Sequence, residues 1–200
     1  MLDLKYYQIK EELENSKMNN SIRPRYEILG VDDFYKNIGG DYYNPHIFDI
    51  KKCIKKSISY GYDKFDKTLD LASGLGEITN ILYKLGYTDI NIVGCDPYLY
   101  KLYELKTGNK CLNYSFSDIQ KGKLNKFNFD TIICSYALHL ADDSIIPELM
   151  WNLSLISKVF IIISPNNKPI IRYNGDWELK YSFKEGKSKC RIYESLNFDL

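Results

Sequence analysis

Histidine is nearly absent from this chain: two residues in 200, His46 and His139. Cysteine is present but scattered, at positions 53, 95, 111, 134 and 190, with no CxxC pair and no zinc-ligand spacing. Neither a metal centre nor a disulfide framework is expected. Cys95, Cys111 and Cys134 fall in apolar runs, where cysteine acts as a small hydrophobe. That usage points to a reducing, cytoplasmic setting. Charge of one sign is also missing: the formal net charge is +1, too small for a broad field drawing in nucleic acid or anionic lipid. No apolar run approaches the ~20 residues of a membrane span, so no membrane partner is expected. The N-terminal MLDLKYYQIKEELEN is too polar for a signal peptide. Internal repeats and low-complexity tracts are absent. Eighteen tyrosines invite a base-stacking reading, but Lys, Asn and Ile are abundant with them, as AT-rich codons produce.

What is present is organised around Thr68 to Gly76, TLDLASGLG. A short apolar strand runs into a glycine-bearing turn, followed by the helical pattern Ile78, Ile81, Leu82, Leu85. Gly74 and Gly76 remove side chains where a ligand would press on the backbone. Ile90 to Cys95 reads as a second buried strand, and it ends in Asp96, 20 residues past Gly76. Strand, turn, helix, strand and acid make a nucleoside-binding βαβ unit, with the acid placed for ribose hydroxyls. A dinucleotide is disfavoured. The third glycine of its fingerprint is Thr79 here, and Asp70 and Glu77 flank the helix N-terminus where a pyrophosphate would sit. Two carboxylates suit a cationic ligand, and S-adenosylmethionine carries an ammonium, a sulfonium and a ribose.

The rest of the chain alternates. Residues 1–40 read as an N-terminal extension, with a short helix within Met1 to Asn20, and 41–200 as the main domain. Asn44 is the expected N-cap, with Pro45 first in a helix carrying Ile47, Ile50, Ile54 and Ile58 on one stripe and Lys51, Lys52, Lys55 and Lys56 on the other. Helix is expected from Glu77 to Leu85, closed by Gly86, and from Asp96-Pro97 to about Lys106, closed by Gly108. Strands are expected at Lys110 to Tyr114, Phe129 to Ser135 and Val159 to Ser164. A helix capped by Asp142 or Asp143 should run to about Ile156, with Pro147 in its first turn. Trp177 to Phe183 alternates, Glu185-Gly186-Lys187 turns, and Arg191 to Tyr193 returns as a hairpin. GKS at 186 to 188 lacks the rest of a phosphate loop.

On these residues the chain resembles the class I S-adenosylmethionine-dependent methyltransferases. Their first motif, an acid, three residues and G-x-G, stands here as Asp70 to Gly76, with Ala72 where glycine is usual. The likeness spans roughly Asn44 to Glu194. It implies an α/β, Rossmann-like, doubly wound, seven-stranded and mostly parallel sheet with a C-terminal antiparallel hairpin. It implies S-adenosylmethionine as cofactor, held by Asp70, Ala72, Ser73, Gly74, Gly76, Asp96, Pro97, Ser117, Asp118, Ser135 and Tyr136. Asp118 occupies the place of the acid that holds the adenine amino group, with a turn-capping Asp as the plainer alternative. Ser135 to Leu140 corresponds to the fourth motif, beside the transferable methyl. Asp96-Pro97-Tyr98 is not the DPPY-type motif of amino-methylating enzymes, since it follows strand two. The flanks Y-x-N-P-H (Tyr42 to His46) and S-P-x-x-K-P (Ser164 to Pro169) are similar to a subset whose substrates are unassigned. They make Tyr43, Asn44, His46, His139, Pro165 and Lys168 candidates for the acceptor pocket.

Methyl transfer from a sulfonium mainly needs alignment, and a base only where the acceptor loses a proton. His139 first, and His46 second, are the candidates for that base. The plainer alternative makes His46 a helix-start hydrogen bonder and His139 a packed ring. The acceptor is expected to be a small molecule or nucleotide-like. An RNA acceptor held by the α-helical lysines, Lys168 and Arg172 is a second reading. A catalytically silent scaffold of the same fold is a third.

Overall fold

The computed structural model describes residues 44–171 and 175–198, and the compact unit that carries the sheet begins at His46. The helix expected within Met1 to Asn20, Tyr43 and Arg172 lie outside the described residues. Helix α1 (Ile47–Ser59) leads to β1 (Lys67–Leu71), α2 (Glu77–Lys84), β2 (Asn91–Cys95), α3 (Tyr100–Thr107) and β3 (Cys111–Leu112). Then come α4 (Phe116–Gln120), β4 (Phe129–Ser135), a 3-10 turn (Leu138–Leu140), α5 (Ile146–Ile156) and β5 (Ser157–Ser164). The hairpin β6 (Trp177–Glu185) and β7 (Ser188–Ser195) closes the chain.

All seven strands form one sheet in the order β3-β2-β1-β4-β5-β7-β6. β1 to β5 are parallel, and β7 and β6 add antiparallel at one edge. This is the doubly wound sheet with a closing hairpin that the element order predicts. Helices cover both faces, so its central strands are continuous apolar runs rather than half-polar ones. Along β5, Phe160 and Ile162 pack with Met150, Leu153 and Trp177 on one face. Ile161 and Ile163 pack with Ile50, Ile54, Ile78 and Leu82 on the other. The Trp177 indole donates to the Met150 carbonyl at 2.9 Å, so burying it strands no polar group. β1 has β2 on one side and β4 on the other, so the strand order reverses there. In open α/β sheets, ligands bind beyond the strand carboxyl ends at that reversal.

Several expected boundaries move, each for a local reason. The N-cap of α1 is His46, not Asn44, and Pro45 precedes the helix; the His46 carbonyl accepts the first helical bond, from Ile50 N at 2.9 Å. Strand β3 is two residues long, because Ser115 and Asp118 form a capping box that starts α4 at once. Helix α3 starts at Tyr100 rather than at Asp96-Pro97, because the Asp96 carboxylate accepts from Tyr98 N and Leu99 N and holds a turn. Asp142 likewise accepts from Ser144 N, so α5 begins only at Ile146. The end of α5 at Ile156 and the Gly108 C-cap of α3 fall where the sequence places them.

Candidate functional site

The loop after β1 is built from left-handed backbone. Ala72, Gly74 and Gly76 have φ of 53°, 54° and 87°. At Gly76 an added Cβ would clash with the Thr107 methyl, so α3 packs where only a glycine fits. The loop is tied across the sheet: Ser73 N donates to the Cys95 carbonyl at 3.2 Å, and Gly74 N to Asp96 Oδ2 at 3.0 Å. The other Asp96 oxygen accepts from Tyr98 N at 2.9 Å and Leu99 N at 2.8 Å. The β1 turn and the β2 acid are thus one rigid unit at the strand ends.

Below it lies a buried relay. Asp70 Oδ2 accepts from the Thr79 hydroxyl at 2.8 Å and from Thr79 N at 3.3 Å, and the same hydroxyl meets the Tyr103 hydroxyl at 2.8 Å. Thr79, which breaks the dinucleotide fingerprint, is the residue that satisfies Asp70. Burial is the main cause that pushes the Asp70 carboxyl up, to about 8; the Thr79 hydrogen bonds oppose it, while Glu77 and Asp96 push the same way. Burial also raises Glu77 and Asp96, and Asp96 raises Glu77 further. Three carboxyls therefore crowd one turn and repel one another, with Lys106 the cation that acts on Glu77. Such a set suits a ligand that brings positive charge and hydroxyl donors. It is a poor match for a phosphate. S-adenosylmethionine brings an ammonium, a sulfonium and two ribose hydroxyls, so the residues present fit it. Glu77, left out of the residues expected to hold the cofactor, stands in the same cluster as Asp70 and Asp96; its place directly after Gly76 is the signal.

The remaining expected residues divide. Asp118 is drawn into its own turn. Its carboxylate accepts from Ser115 N at 3.0 Å and the Ser115 hydroxyl at 2.9 Å, and pairs with Lys123 at 2.7 Å. Lys123 and Ser115 hold its pKa down to about 2. Ser117 is exposed, and Pro97 and Ser135 are half-buried. The two histidines come together around Tyr136. His46 stacks on that ring with centroids 4.9 Å apart at 13°, and His139 meets it edge-on at 6.5 Å. Tyr136 itself is held at φ 54°, an uncommon backbone for a bulky residue. His139 Nδ1 is buried without a hydrogen-bond partner among the described residues, and burial lowers the ring's pKa, so the imidazole is neutral at pH 7. Pro165 and Lys168 are exposed beyond β5. Their loop is clasped by Arg191 of β7, which donates to the carbonyls of Asn167 at 3.0 Å, Lys168 at 3.0 Å and Pro169 at 2.6 Å. Sequence reasoning missed Arg191; a lone cation inside the buried run Cys190–Tyr193 was the available sign.

No family model matches this chain. It is 24% identical to an uncharacterised protein of Schizosaccharomyces pombe, C17A5.05c, over 79% of this chain and 80% of that one. Magnesium protoporphyrin IX methyltransferase of Synechocystis with S-adenosylhomocysteine bound superposes with a TM-score of 0.61 at 12% identity, over 82% of this chain and 97% of that one. The same enzyme with S-adenosylmethionine bound gives 0.57 at 14%, over 82% and 94%. A TehB-like S-adenosylmethionine-dependent methyltransferase of Corynebacterium glutamicum gives 0.50 at 14%, over 76% and 100%. The likeness lies in the fold, which is that of class I S-adenosylmethionine-dependent methyltransferases.

Proposed function

We propose that the chain is an S-adenosylmethionine-dependent methyltransferase acting on a small-molecule or nucleotide-like acceptor. One observation carries the reading: the buried carboxyls of Asp70 and Asp96 and the half-buried one of Glu77 surround a left-handed turn at the strand-order reversal of this sheet. The cofactor supplies a methyl already activated on a sulfonium. Asp96 takes the ribose hydroxyls, Glu77 supplies negative charge on the ammonium side, and the cofactor's positive charge draws Asp70 towards its ionised form. Ala72, Ser73, Gly74 and Gly76 let the ligand approach the backbone, and Ser117-Asp118 borders the adenine. Pro97, Ser135 and Tyr136 complete the wall. His139, held neutral, takes a proton from the acceptor, and His46 orients it. Pro165 and Lys168 border the acceptor. Five free, buried cysteines suit a reducing compartment, which for us is the cytoplasm. Among the described residues, no helix is long and apolar enough to cross a membrane.

Lys56 pairs with Glu185 at 3.0 Å and Lys52 lies over the Phe48 ring, so these α1 lysines are engaged with their own surface. RNA therefore enters as an outcome of the test rather than as the leading acceptor. Calorimetry with S-adenosylmethionine, competed by S-adenosylhomocysteine, should give one displaceable site; no heat would turn the reading towards a scaffold. Labelled-methyl transfer into small-molecule extracts and into total RNA, with His139→Ala alongside, then separates the acceptor classes. Unchanged turnover at saturating cofactor in His139→Ala would remove the base role.

A further inference from the structure

Tyr136 is a costly residue to hold where it stands. A left-handed backbone in a bulky residue is strained and persists only where its surroundings over-determine it. The restraints are visible. Its backbone N donates to the Ile163 carbonyl at 2.8 Å, and its ring is stacked on His46. Its hydroxyl shares a 2.8 Å hydrogen bond with the Ser188 hydroxyl. Ser188 opens β7, two strands away across β5, a separation of roughly 10 Å at the usual strand spacing. The tyrosine side chain therefore reaches over the end of β5 to the tip of the closing hairpin. Because β7 is antiparallel, pairing Ser164 with Lys189, that tip lies at the same end of the sheet as the β1 turn and Asp96.

The hairpin tip is in turn tied to the helix that carries His46. Asp49, in the first turn of α1, accepts from Lys187 N at 3.0 Å. Gly186 has left-handed backbone at φ 57°, and a Cβ there would press on the Asp49 carboxylate, so glycine suits this turn on both counts. Lys56, further along α1, pairs with Glu185 at 3.0 Å. The tip thus holds both partners of the stack: α1 through Asp49, and Tyr136 through Ser188.

We infer that the β6–β7 turn is a positioning clasp, in which Ser188 and Asp49 set the register of the His46–Tyr136 stack. That the stack faces a methyl acceptor rests on the proposed function; that the clasp places it does not. The sequence Gly186-Lys187-Ser188, which has no meaning as a phosphate loop, acquires one here.

The chain has only two histidines, so the imidazole Cε1–H region of a proton–carbon correlation spectrum holds two signals. His46→Gln and His139→Gln identify them. In the unaltered protein the His46 signal should lie upfield of an exposed histidine, from the ring current of Tyr136. Ser188→Ala should move it back downfield while S-adenosylhomocysteine affinity is retained. Tyr136→Phe removes the other end of the same bond and keeps the ring, so it should give the same displacement; it carries the test if Ser188→Ala does not fold. A folded Ser188→Ala whose His46 signal stays in place, or a disagreement between the two variants, overturns the inference. Loss of S-adenosylhomocysteine binding in the unaltered protein, with the displacement intact, would instead fail the methyltransferase reading and leave the clasp standing.

Discussion

Asp70 is the group through which pH should act most on this fold. Folded, the carboxyl keeps its proton up to about pH 8, against an ordinary value of 3.8. Between those values the folded chain binds more protons than the unfolded chain, so stability falls as pH rises. His139 works in the opposite sense: burial lowers its pKa, so the unfolded chain binds the extra proton below 6.5. The clean interval is therefore from pH 6.5 to 8. One proton across it corresponds to about 2 kcal/mol, which for a chain of this size is a fall of ~4–8 °C in melting temperature. Burial also raises Glu77 and Asp96, which lower stability in the same sense as pH rises through their own range. Asp70→Asn keeps an oxygen for the Thr79 hydroxyl but cannot ionise, so its fall should be smaller than that of the wild type. Scanning calorimetry at the two pH values measures both. Saturating S-adenosylmethionine should lessen the wild-type fall, because a cation beside the cluster favours the ionised form. A wild-type protein as stable at pH 8 as at 6.5, or an Asp70→Asn slope equal to it, refutes the reasoning.

Thr79→Val keeps the shape and the backbone N–H bond to Asp70 Oδ2 but removes the hydroxyl between that oxygen and Tyr103, leaving the Tyr103 hydroxyl stranded; at ~1–3 kcal/mol for a stranded group, chemical denaturation should show a clear loss, and an unchanged midpoint would mean the relay is not formed. Gly76→Ala forces a side chain onto left-handed backbone and into Thr107, at roughly 2–4 kcal/mol; calorimetry should show S-adenosylhomocysteine binding lost before circular dichroism shows the fold lost. Arg191→Lys cannot reach three carbonyls from one ammonium, and should cost on the order of 3 kcal/mol. Hydrogen exchange in that variant should rise across 166–171 and stay low in β1 and β2.

Much of this protein is legible from spacing alone. The apolar runs of β1, β2, β4 and β5 could be nothing but strands buried on both faces, and the acid, glycines and second acid marked the turn that joins them. Those signals are local: each depends on a few adjacent residues and the backbone they permit. The misplaced boundaries were local too, but Asp96, Ser115 and Asp142 spent their side chains on nearby amides and so delayed or started helices, a competition that periodicity does not register. Asp118 was legible as an acid after β3, with turn-capping as the alternative role; its partners Ser115 and Lys123 were not. What only the tertiary structure decided are pairings between residues far apart in sequence: Thr79 under Asp70, Arg191 on the loop after β5, and Ser188 against Tyr136. A sequence can mark a residue as polar in an apolar run. Which partner satisfies it is set by the order of the strands, because that order alone brings distant segments within a hydrogen bond of one another.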